Sequence, residues 1–89
     1  MASSEDLEAL KEQLAAIEHA RWSHWQKYMH KKCIRNSDGS LTIPKELVVK
    51  WDNQSRTVYA DLTEKEKQSD REQVDKYLPL LKNFFQQLE

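Results

Sequence analysis

The chain has 89 residues, 38% of them apolar and 33% charged, with a single Cys, a single Gly and a formal net charge of −1. One Cys excludes an internal disulfide framework and a four-Cys zinc site, and one Gly excludes a P-loop and any Gly-rich dinucleotide fingerprint. No apolar run is long enough to cross a bilayer, and the acidic start Ser3-Ser4-Glu5-Asp6 after Met1-Ala2 lacks the form of a secretion signal, so a cytoplasmic protein without a membrane partner is expected. The length allows one domain, residues 1–89. A domain this small buries only about 60% of its unfolded surface, so the core should be thin. Three Trp, three Tyr and two Phe must supply much of it, or a second chain must complete it.

The first helix is predicted over Ser4 to Lys32. Ser3 or Ser4 can cap it, the acids that follow suit its positive end, and Lys31 and Lys32 suit its negative end. Leu7, Leu10, Leu14 and Ile17 form one stripe, which continues in polar and aromatic form at Arg21, His24 and Tyr28. Such a helix is roughly 40 Å long, so its first turns are expected to extend past the core and pair with another copy. Asn36-Ser37-Asp38-Gly39-Ser40 is a turn, and Leu41-Thr42-Ile43 a short extended piece before Pro44. Pro44 suits the start of a second helix to about Gln54, with Leu47, Val48 and Trp51 on one face. Asn53 to Leu62 reads as a connector. Thr63-Glu64-Lys65-Glu66 has the form of a capping box and should start a third helix. Pro79 interrupts the apolar period of Val74, Tyr77, Leu78 and Leu81, so a short fourth helix should run from there to Leu88. The expected fold is all-α, a small bundle of three to four helices with a long N-terminal helix.

Charge is unevenly spread. Residues 1–18 carry a net −4, residues 19–35 a net +5 with no acid, and residues 61–89 a net −2. The acid-free stretch also holds Trp22, Trp25 and Tyr28. A short basic and aromatic cluster between acidic flanks points to a small anionic ligand rather than to nucleic acid. On a helix, Glu18, Trp22, Trp25 and Met29 share one side, and Arg21, Trp25 and Tyr28 an adjacent one. An indole face with a guanidinium can hold a base and a phosphate together. Alternatively, and in better accord with spacing alone, Trp22 and Trp25 are core, with Arg21 paired to an acid of the third helix. Asp70-Arg71 can pair with Arg21 and Glu18 or frame a polar pocket; most charges around them fit a solvated face. His30 and Cys33 are half a metal site at most, and nothing in the spacing supplies the rest, so neither metal nor cofactor is expected. No nucleophile with an orienting partner is evident, so an enzyme is not expected.

Two stretches carry a family resemblance: Glu18-His19-Ala20-Arg21-Trp22, and Leu62 to Val74 with Leu62, Lys67, Asp70 and Arg71 in register. Together they resemble the ryanodine-receptor repeat domain, in particular its small bacterial and phage members. The resemblance covers about residues 14–80 and leaves residues 1–13 as a helical extension. The family often carries Gly-Trp and Tyr-Gly after the first helix; here Tyr28 to Ile34 contains no Gly. The resemblance implies a helical module that binds a nucleotide-derived signal in the cytoplasm of a bacterium or of a phage-infected cell. A free-standing copy, with no effector domain to switch, would act as a sponge that sequesters an immune signal. The residues expected to hold the ligand are Trp22, Trp25 and Trp51 as walls, Arg21 and Arg71 as phosphate partners, and Tyr59 and Asp70 as hydroxyl or amino contacts. A homo-oligomer is expected, because Leu7, Leu10, Leu14, Phe84, Phe85 and Leu88 offer more apolar face than one thin domain covers. The alternative is a helical interaction or oligomerisation module without a small-molecule ligand, its acidic half set against the basic half of an antiparallel copy.

Overall fold

A computed structural model describes residues 3–88. Met1 and Ala2, the first residues of the stretch read as no secretion signal, lie outside the described residues. Four α-helices carry the fold: α1 (Ser4–Lys32), α2 (Lys45–Arg56), α3 (Glu64–Val74) and α4 (Leu78–Gln87). A two-stranded hairpin, β1 (Ile34–Arg35) and β2 (Leu41–Thr42), joins α1 to α2. A single 3-10 turn, Tyr59–Asp61, joins α2 to α3. The fold class is all-α with a long N-terminal helix, as the periodicity predicts.

Local chemistry sets each boundary. At the start of α1 the Asp6 amide donates to Ser3 Oγ at 3.1 Å and the Ser3 amide donates to Asp6 Oδ2 at 2.9 Å. Two backbone donors that the helix leaves free are satisfied this way. The same device opens α3. There the Glu66 amide donates to Thr63 Oγ1 at 3.2 Å and the Thr63 amide to Glu66 Oε1 at 3.0 Å. Those bonds hold the Glu66 carboxyl below its ordinary range, the Thr63 amide contributing most and its hydroxyl next. The break before Pro79 falls where expected: α3 ends at Val74, tight turns close through Asp75, Lys76 and Tyr77, and Pro79 sits in the first turn of α4.

The turn at Asp38-Gly39 closes an antiparallel hairpin, pairing Ile34 with Thr42 and Arg35 with Leu41. Gly39 takes φ 89°, which its missing Cβ permits. The amide and hydroxyl of Ser40 both donate to the Asp38 carboxylate and lower its pKa, the hydroxyl bond being the larger cause. Asn36 Nδ2 adds bonds to Ser40 Oγ and Thr42 Oγ1, each 3.0 Å. The extended piece at Leu41–Thr42 agrees with the sequence, which by itself assigns no element to Ile34–Arg35.

One expectation changes. α2 runs to Arg56 rather than to Gln54, its end held by Thr57 Oγ1 donating to the Asn53 carbonyl at 2.6 Å. In the first three turns of α1 Leu10 alone is buried while Leu7 stays exposed, and α1 and α4 make the principal contact between helices. Leu10, 8% exposed, is the one buried apolar side chain among the described residues, with Leu14 and Ile17 of α1 and Leu80, Leu81 and Phe84 of α4 half-buried.

Candidate functional site

Trp25 and Met29 lie one turn apart on α1, and Trp51, Gln54 and Ser55 share a face of α2. The indoles of Trp25 and Trp51 meet edge to face with centroids 6.1 Å apart, and Tyr28 stacks on Trp25 at 5.3 Å. From this aromatic junction a groove of ≈ 520 Å³ opens, closed by Thr57, Tyr59 and Leu62 of the connector and by Asp70 of α3. Its size falls within the range of small-molecule sites. Its apolar wall is made by Trp25, Met29, Trp51 and Leu62. Its polar groups are few: the Asp70 carboxylate, the Gln54 amide and the hydroxyls of Ser55, Thr57 and Tyr59. A planar heterocycle fits such a wall by stacking, and a carboxylate with an amide can receive its amino groups.

A second groove of ≈ 410 Å³ adjoins the first and shares Tyr59 and Asp70 with it. Gln68, Arg71 and the carboxylates of Asp70 and Asp75 supply its polar edge. The Arg71 guanidinium donates to Glu64 Oε2 at 3.3 Å and to Gln68 Oε1 at 3.5 Å. The Glu64 bond, and then Tyr59, raise its pKa. Long bonds to an exposed carboxylate leave donor capacity for an anion, since a guanidinium carries five N–H groups. Beside it the Lys67 ammonium lies 5.8 Å from the centroid of Tyr59.

Five of the seven residues expected at a site therefore come together: Trp25, Trp51, Tyr59 and Asp70 around the first groove, and Arg71 at the edge of the second. Arg21 and Trp22 do not line either groove. Arg21 pairs with Glu18 of its own helix at 3.5 Å rather than with an acid of α3. Trp22 stacks on His19 at 6.2 Å and is 60% exposed, so it is neither core nor groove wall. Gln54, Ser55 and Thr57 escaped the sequence reading. Gln54 and Ser55 follow Trp51 at helical spacing, and the two further residues of α2 place Ser55 on its face, with Thr57 just past its end.

The basic side of α1 lies elsewhere. Lys27, Lys31 and Arg35 line another cleft with His24, Tyr28, His30 and Cys33, which borders the indole junction through Tyr28. Among the described residues no three His, Cys, Asp or Glu side chains are grouped to hold a metal ion. No described helix is long and apolar enough to cross a membrane. No protein-family model, curated protein or solved structure matches this chain.

Proposed function

We propose that this protein is a non-catalytic binder of a nucleotide-derived small molecule. The observation that carries the reading is the convergence of Trp25, Trp51, Tyr59 and Asp70 on one groove, with Arg71 in the groove next to it. In this reading the base stacks against the indole wall and an anionic group of the ligand reaches Arg71. Asp70 and Tyr59, common to both grooves, receive and donate the bonds between those two parts. Arg71 takes the phosphate role that the sequence assigned jointly to Arg21 and Arg71. The role we assign is sequestration of a nucleotide signal in the cytoplasm, in the manner of a phage sponge acting against host immunity, and the ryanodine-receptor-repeat resemblance supports it. Self-assembly belongs to the same proposal.

Thermal unfolding of the purified protein with cyclic dinucleotides, cyclic ADP-ribose variants and plain nucleotides tests the ligand. A nucleotide at about 100 times its dissociation constant adds about 2.7 kcal/mol, which lifts the midpoint of a domain this size by at least about 10 °C. Asp70→Asn should weaken that shift with little change in the unliganded midpoint, and Arg71→Ala should do the same for phosphorylated ligands only. A panel in which no nucleotide moves the midpoint overturns the reading. A second reading, a helical interaction module without a ligand, draws on the exposed Trp22: a solvated indole on a helix is a common anchor for a partner protein.

A further inference from the structure

We propose that a second copy of this chain covers the outer face of α4, making the protein a two-fold dimer across that helix. The first ground is area. A folded chain of 10.6 kDa exposes roughly 5,500 Å² by the scaling of compact monomers. This chain exposes 7462 Å². The surplus of roughly 2,000 Å² exceeds the ~800 Å² that each subunit loses in an interface of standard size, and falls among obligate homodimers. Shape agrees with area: the radius of gyration is 18.0 Å, against about 12 Å for a compact chain of this length. The surplus belongs to every molecule, and another copy is the partner present wherever the chain is made.

The second ground is the chemistry of the face. α4 has no acid, and Lys82 is its one base. Its half-buried Leu81 and Phe84 are flanked by Leu78 and Phe85, which are 50% and 59% exposed. Leu78, Pro79, Leu81 and Phe85 line an apolar groove of ≈ 650 Å³, and among the described residues its charged groups are Asp75 and Lys82. A two-fold contact through this groove can set Asp75 of one copy beside Lys82 of the partner subunit, and the same axis then generates the reciprocal pair. The face is therefore complementary to itself, apolar to apolar and one charge of each sign. A partner surface of single charge would match one of these two residues and oppose the other. The inference makes specific the self-assembly in the proposed function, and of its residues Asp75 alone also edges a ligand groove.

Sedimentation equilibrium without nucleotide tests it. The expected mass is at least twice 10.6 kDa. Asp75→Lys and Lys82→Asp, made singly, each place like charges together twice and should raise the dissociation constant by about tenfold or more. The double exchange should return it close to the starting value, which loss of folding cannot mimic. Phe85→Glu should shift the mass toward 10.6 kDa and lower the thermal midpoint, since the thin single chain folds less stably without its partner. A wild-type mass near 10.6 kDa at every concentration overturns the proposal, and so does a double exchange that fails to restore assembly.

Discussion

At the scale of single residues, Tyr77 is the side chain with an unmet need. Its ring is half-buried at the junction of α3 and α4, and its hydroxyl oxygen is buried without a hydrogen-bond partner among the described residues. A buried hydroxyl without a partner costs about 1–3 kcal/mol, whereas the same ring without the oxygen loses nothing in packing. Tyr77→Phe should therefore stabilise the fold by about 1 kcal/mol, read as a shift of the urea midpoint at constant slope. Tyr77→Leu, which removes the ring, should destabilise it. Arg21 shows how far the residue scale reaches from sequence. Its spacing from Trp25 and Tyr28 allows a phosphate role, and its spacing from Glu18 allows a pair on the same helix; the second is what forms, because a neighbour one turn away needs no tertiary contact.

At the scale of elements, the boundaries follow from short-range chemistry. α3 is polar on most sides and contributes few apolar groups to packing, so its cap carries an unusual share of its stability. Thr63→Ala removes the acceptor for the Glu66 amide and frees the Glu66 carboxylate from the Thr63 hydroxyl. The expected loss is about 1 kcal/mol, with faster amide hydrogen exchange confined to the first turn of α3. Thr63→Ser should keep most of it. α1, the capping box of α3 and the break at Pro79 were all readable in the sequence, because each depends on residues within four positions of one another. The hairpin was half readable: Asp38-Gly39 announces a turn, but Ile34–Arg35 becomes a strand only by pairing with Leu41–Thr42. The end of α2 was missed because Gln54, Ser55 and Arg56 have no strong preference, and side-chain bonds from Ser55 and Thr57 to backbone carbonyls hold the final turn.

At the scale of the whole molecule, the thin core is the governing fact. With one buried apolar side chain among the described residues and an extended shape of 55 × 34 × 16 Å, a single chain has little burial to set against the entropy of folding. Stability should then be shared with assembly. The thermal midpoint is expected to fall by roughly 3–5 °C for each tenfold dilution, measured by differential scanning calorimetry, because dissociation and unfolding become one step. A midpoint independent of concentration would mean that the four helices hold themselves without a partner chain.

Composition already determined a small, single-Cys chain with few apolar groups, eight of them aromatic, and local spacing determined where its helices begin and end. Those properties depend on backbone hydrogen bonding and on neighbours a few residues apart. Which aromatics meet was decided only in three dimensions. Trp25 and Trp22 look equivalent along α1, yet α2 brings Trp51 against Trp25 and leaves Trp22 in solvent. Likewise Tyr59, Asp70 and Arg71 gain a shared pair of grooves only because the connector and α3 fold back beside α1 and α2. The physical reason is the same in each case: a helical face is set by three or four residues, but its neighbour is set by the path of the whole chain.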